Sequence, residues 1–180
     1  MTKYVALLRG IAPTNPNMAN ANLRAVCEGL GLHAVQTVIS SGNVIFESDT
    51  SDPAGLEESI EAAWPSELGF TSTTILRSEA ELEALVESDP FAGRTHGRDT
   101  YLLVTFAKNP FTIELAFPYQ PPDRDYWIVG ATSGELFSVT DTAASQTPDV
   151  MSWIESRLGK EISSRTWLTV NRILERMRKE

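Results

Sequence analysis

A run of consecutive apolar residues near the start, Tyr4-Val5-Ala6-Leu7-Leu8, constrains the fold more than any other stretch of this chain. A strand solvated on one face alternates apolar and polar residues, whereas a strand apolar at every position has both faces covered. Lys3 to Leu8 is therefore expected to be a central, buried strand. The run is far too short for a signal peptide or a membrane span, so a cytoplasmic location is the default expectation. At 180 residues the chain can bury a sizeable core without cross-links. The single cysteine, Cys27, excludes an intrachain disulfide, and only His33 and His96 are available to a histidine metal site. No metal and no cofactor are implied.

After the first strand, Leu23, Val26, Cys27 and Leu30 recur at helical spacing, with Asn20 as N-cap and Gly31 as stop. Ala34 to Ile39 and Val44 to Glu47 read as strands joined by a Ser41-Gly42 turn. Asp52-Pro53 opens a helix with the stripe Leu56, Ile60, Ala63 and Trp64, ended by Pro65. Phe70 to Leu76 reads as a strand. The order β-α-β-β-α-β is that of ferredoxin-like domains, with both helices on one face.

Ser78 and Glu81 form a capping box that begins the second half. Tyr101 to Phe106 reads as a strand, Thr112 to Phe117 as a short helix, and Tyr126 to Val129 with Glu135 to Val139 as a hairpin. Thr147-Pro148 opens a helix carrying Met151, Ile154 and Leu158, and a last helix carries Val170, Ile173, Leu174 and Met177. The fold class expected is α+β. Residues 1–77 form a ferredoxin-like subdomain, and residues 78–180 form an α+β subdomain that shares its core.

The net charge of −9 is unevenly spread. Ser51 to Pro90 holds ten acidic residues against Arg77 alone, while Met151 to Glu180 holds seven basic and four acidic residues. Nucleic acid binding draws on phosphate neutralisation, so the global balance opposes it. The basic tail (Arg172, Arg176, Arg178, Lys179) fits cations near a helix C-terminus. The chain has no phosphate-loop, dinucleotide, nucleophile-elbow or zinc-protease motif, so no reaction is legible. Cys27 lies on an apolar stripe, where a cysteine packs rather than attacks. His96 sits in a polar loop, and Asp123 and Asp125 precede a strand, where a turn explains them more simply than a cation does.

One constellation stands out. Arg9-Gly10 ends the first strand and Ser41-Gly42-Asn43 begins the third, its antiparallel neighbour in such a sheet. A guanidinium, a glycine and an amide would then meet at one corner, suited to a carboxylate or another anion. The simpler alternative is that Arg9 bridges a protein group and Ser-Gly-Asn is only a turn. Arg165 and Trp167, before the last helix, are expected to approach the same corner, with helix N–H groups facing outward. The candidate ligand-binding residues are thus Arg9, Gly10, Ser41, Asn43, Arg165 and Trp167.

Leu7-Leu8-Arg9-Gly10-Ile11, Met18, Leu23 and Ser41-Gly42-Asn43-Val44-Ile45-Phe46 resemble the bacterial domain-of-unknown-function family 1697. Its pattern has L-L-R-G-I-N-V-G-G, a methionine before the first helix, Q-S-G-N-V-x-F at the third strand, an N-P-F step and T-x-R-N-W-N-T-V near the end. Asp89-Pro90-Phe91 looks like the N-P-F step, and Arg165, Trp167, Thr169 and Val170 match the last motif. The resemblance implies an α+β fold with a ferredoxin-like half and no particular activity. This chain departs from the pattern at Ala12 to Asn17, which replaces the Asn-Val-Gly-Gly loop, and at Thr166 and Leu168, which replace asparagines. The lysine common before the penultimate helix is also missing from Ala144 to Pro148.

Three functions compete. The first is binding of a small anionic molecule at the Arg9/Asn43 corner, with or without catalysis. The second is a non-catalytic protein–protein or structural role, which requires an exposed apolar patch. The third is RNA binding on the sheet, which requires exposed aromatics, and Tyr4 and Phe46 are the residues that would supply them.

Overall fold

The structure, a computed structural model, describes residues 1–143 and 148–179. These form an α+β protein with two antiparallel four-stranded sheets and five α-helices. The chain divides into two units, Met1–Glu83 with Arg172–Glu180, and Ala84–Asn171.

In the first unit the order is β1 (Thr2–Leu8), α1 (Asn20–Gly29), β2 (His33–Thr37), β3 (Asn43–Ser48), α2 (Pro53–Leu68) and β4 (Thr74–Ser78). The sheet order is β2-β3-β1-β4, so β1 pairs on both edges and is central, as its apolar run requires. Tyr4 to Leu8 are all buried, which covers both faces of the strand. On one face Tyr4, Ala6, Leu8, Val44 and Phe46 pack with Leu23, Val26 and Cys27 of α1 and Ile60, Ala63 and Trp64 of α2. Both helices therefore lie on one face. Tyr4 and Phe46 are stacked on each other inside that cluster, which removes them as a platform for RNA bases.

The strand β4 is a sheet edge, and its outward N–H groups would otherwise face solvent or another chain. Thr74 N–H donates to Glu61 Oε2 at 3.1 Å, Leu76 N–H to Glu57 Oε2 at 2.9 Å and Ser78 N–H to Glu81 Oε2 at 2.7 Å. Glu57 and Glu61 lie one turn apart on α2, and Glu81 lies in α3 (Glu79–Glu87). The Ser78–Glu81 bond is one arm of the expected capping box; Glu81 N–H returns the other to Ser78 Oγ. Part of the acidic run is thus a row of backbone acceptors.

The second unit contains β5 (Thr100–Ala107), β6 (Tyr126–Ala131), β7 (Glu135–Asp141), α4 (Pro148–Leu158) and β8 (Ile162–Thr166), followed by α5 (Trp167–Met177). Its sheet order, β6-β7-β5-β8, repeats that of the first unit. The repetition extends to single bonds. Leu8 N–H donates to Gly42 O and Arg9 N–H to Thr73 O; Ala107 N–H donates to Gly134 O and Lys108 N–H to Glu161 O. Val150 and Ile154 of α4 cover Leu103, Tyr126, Ile128 and Leu136 on one face of this sheet.

Several expectations are corrected. No helix forms over Thr112–Phe117: Phe111, Ile113 and Leu115 are partly buried while Thr112, Glu114 and Ala116 are exposed, an extended alternation. The strand β8 is absent from the sequence reading because Ile162 is its only large apolar residue, yet Ser163 and Arg165 are also buried. Pro65 does not end α2, which continues to Leu68 and stops at Gly69 in the left-handed conformation. The fourth strand starts at Thr74 rather than Phe70, whose ring stacks on Trp64 instead. Asn20 is the first residue of α1, not its cap, and donates from Nδ2 to Ile39 O. Leu30 leaves the helical stripe and is exposed at the helix end. Thr147 lies outside the described residues.

This packing has two measurable consequences. Glu57→Ala leaves the Leu76 N–H without its carboxylate and is expected to cost about 1.5–3 kcal/mol in denaturant unfolding, whereas exposed Glu58→Ala stays within about 0.5 kcal/mol. Burial, with a smaller contribution from Glu28, pushes the Cys27 thiol from 9.0 up to about 12. The unfolded thiol therefore ionises first. Its contribution to stability is intact below pH 9.0 and declines as pH rises toward about 12. Relative to Cys27→Ala, the wild-type unfolding free energy should fall across that window; a constant difference would mean a solvated thiol.

Candidate functional site

The corner at the end of β1 is built from backbone constraints. Arg9 N–H donates to Thr73 O at 2.9 Å, and Ser72 Oγ donates to Arg9 O at 2.7 Å. Arg9 is thus held on both sides of its Cα, and its half-buried side chain leaves from a fixed point. Gly10 follows at φ +73 and is exposed, and a Cβ added there would meet nothing within 4 Å. The positive φ, not crowding, favours glycine there.

Gly42 is required for both reasons. Its φ is +83, and an added Cβ would lie 2.9 Å from Leu8 Cβ and 2.6 Å from Ile11 Cγ1. The Leu-Arg-Gly-Ile stretch and the Ser-Gly-Asn turn therefore meet by close packing. In register, Asn43 faces Leu7, which puts Arg9 beyond the last paired residue and diagonal to Asn43.

Asn43 is fully buried, and its amide serves the turn that precedes it. Nδ2 donates to Val38 O and to Ser41 Oγ, both at 2.9 Å, while Val38 N–H donates to Asn43 O at 3.0 Å. Both amide hydrogens are thereby engaged by the β2–β3 connection. Ser41, half-buried, accepts one of these bonds and keeps a hydroxyl hydrogen for another partner. Within the first unit the structure brings Arg9, Gly10, Ser41 and Asn43 to one corner, with Asn43 bracing it.

Arg165 and Trp167 belong to the second unit. Arg165 lies on β8 opposite Val104 and is buried. Its Nη1 donates to Ser163 Oγ at 2.9 Å and Ser164 O at 2.8 Å, and desolvation lowers its pKa to about 10. Arg77 makes the equivalent bond in the first unit, from Nη1 to Leu76 O. Thr166 caps α5 by accepting from Thr169 N–H, so that helix starts as its sequence indicates. Trp167 packs edge-on against the buried ring of Phe91 at 5.2 Å, and Phe91 in turn meets Phe137 at 5.8 Å. His96 is tied into its loop: its Nδ1 accepts from Leu102 N–H at 3.1 Å. Asp125 O accepts from Asp141 N–H, which anchors the turn before β6. Apart from the Thr166 cap, none of these bonds is legible from residue spacing.

A family model described as "Protein of unknown function (DUF1697)" matches residues 1–137. No curated protein matches the chain. A solved structure titled as that of conserved bacterial protein SP0830 from Streptococcus pneumoniae is similar, with a TM-score of 0.69 and 23% identity over 99% of each chain. At that identity the likeness speaks to the fold alone. No helix among the described residues is long and apolar enough to cross a membrane.

The packing at Gly42 can be tested directly. Gly42→Ala forces both a strained φ and a Cβ into Leu8 and Ile11, and is expected to destabilise the protein by about 1–3 kcal/mol. Gly10→Ala, which meets only the strain, should cost less in the same denaturation experiment. Equal costs would remove the close-packing account of the corner.

Proposed function

We propose that this chain, which belongs to the DUF1697 family, is a small-molecule-binding protein that holds a carboxylate or phosphate group at the Arg9 corner. The reading takes the β2-β3-β1-β4 sheet with α1 and α2 on one face as ferredoxin-like, with ligand recognition at one end of its central strand. The observation that carries it is the anchoring of Arg9 by Thr73 O and Ser72 Oγ. These bonds fix the point from which the Arg9 side chain leaves the strand end, and its guanidinium supplies planar, multi-donor recognition of an anion. Gly10 keeps the adjacent surface free of a side chain, and Ser41 adds a hydroxyl.

The roles are narrower than the residue types alone imply. Asn43 positions Ser41 and closes the turn, and does not face the ligand. Arg165 and Trp167 serve the packing of the second unit. No catalytic step is assigned, since this set supplies an anion clamp and no general base to activate the Ser41 hydroxyl.

A thermal-shift comparison of wild type and Arg9→Gln with inorganic phosphate, citrate and nucleoside monophosphates tests the proposal. The expected outcome is stabilisation of wild type by at least one anion class, lost in Arg9→Gln, with unliganded stability within about 1 kcal/mol of wild type. Reduced unliganded stability with undiminished shifts would make Arg9 scaffold and favour the protein-interaction role.

A further inference from the structure

A concavity lies wholly within the second unit, and its chemistry differs from that of the Arg9 corner. The cavity is about 700 Å³, with Trp127 and Val139 as an apolar floor and Arg94, Asp99, Thr100 and Asp141 around it. Trp127 and Val139 are cross-strand partners, as are Thr100 and Asp141, so these residues line one face of the sheet. The neighbouring residues Tyr126 and Ile128 point to the opposite face, under α4. The cavity therefore sits on the side of β6 and β7 that α4 does not cover. Its size is that of an ordinary small-molecule site.

Its charges narrow the ligand. Arg94 donates from Nη1 to Phe91 O at 3.0 Å, which steadies the guanidinium with most of its donors remaining. Asp141 Oδ1 accepts from Ala143 N–H, which fixes that carboxylate. Among the described residues, neither Arg94 nor Asp99 has an ion pair, although both line the cavity. One guanidinium faces two carboxylates, so the local field opposes a polyanion such as a nucleotide. It suits a ligand carrying both an anionic and a cationic group. The half-buried Trp127 brings an indole to the cavity lining, and indole rings stack on aromatic ligands and attract ammonium groups.

We propose that this cavity binds a zwitterionic aromatic compound, a free aromatic amino acid or a short aromatic peptide. Its ring lies on Trp127, its carboxylate meets Arg94, and its ammonium meets Asp99 and Asp141. The site shares no residue with the Arg9 corner and stands or falls separately from it.

The test titrates the full-length protein by calorimetry with L-phenylalanine and with glycyl-L-phenylalanine. Phenethylamine and 3-phenylpropionate, each lacking one charge, serve as comparators. Saturable binding of at least one zwitterion is expected, with both single-charge analogues about tenfold weaker or worse, a difference of about 1.4 kcal/mol. The tighter zwitterion distinguishes amino acid from peptide. Arg94→Gln should weaken the zwitterion about tenfold and leave phenethylamine unchanged, and Asp99→Asn should spare 3-phenylpropionate instead. Both side chains are exposed, so folding should survive; circular dichroism checks this. Arg9→Gln should leave the binding intact. Failure of both zwitterions to bind, analogues as tight as the zwitterions, or loss of binding in Arg9→Gln with retention in Arg94→Gln would each overturn the proposal.

Discussion

The first unit depends on the two-sided burial of β1. Val5, Ala6, Leu7 and Leu8 are each at most 1% exposed, and the strand pairs with β3 on one edge and β4 on the other. Its register is consequently costly to shift, because a slip of one residue would exchange the two faces. That fixed register brings Leu8 and Ile11 onto Gly42 and sets Arg9 beside Thr73. The corner is a consequence of the core rather than an addition to it.

A central strand needs protected edges, and on one side this protein provides them with carboxylates. Glu61, Glu57 and Glu81 accept from successive outward N–H groups of β4. An occupied edge cannot template pairing with another chain. This changes the meaning of the acidic stretch: three of its ten carboxylates are directed at the edge strand's own backbone. The second unit repeats the strand order and the terminal bonds of its central strand with different side chains. Arg77 and Arg165 even donate to the preceding carbonyl in the same way. Backbone geometry is the shared plan, and the side chains at each strand end vary around it.

The two candidate sites illustrate that division. At the Arg9 corner, bonds to its main chain fix where one arginine leaves the sheet, and the amide of Asn43 is absorbed by a turn. In the second unit, a tryptophan and charges of both signs surround one cavity. Similar strand topology thus carries a backbone-anchored arginine at one strand end and a tryptophan among charges of both signs in the other unit. The fold supplies positions, and the residues at those positions decide the chemistry.

The sequence alone determined those features whose signals are local. The apolar run Tyr4 to Leu8 specified a central strand, and Ser78 with Glu81 specified a helix start, because pattern and capping act within a few residues. Cys27 was legible as core from helical spacing. The meeting of Arg9-Gly10 with Ser41-Gly42-Asn43 followed from strand order. Only the tertiary structure decided the rest. The polar strand β8 exists because β5 offers it an edge and its serine and arginine find partners, which no hydropathy pattern records. The stretch 111–117 forms no helix because Phe111 and Ile113, two residues apart, both pack on the second core. Asn43 became a brace because the β2–β3 connection places Val38 O and Ser41 Oγ within reach. In each case a polar group's role depends on which partners the folded chain brings to it, and that is a property of long-range contacts rather than of residue type.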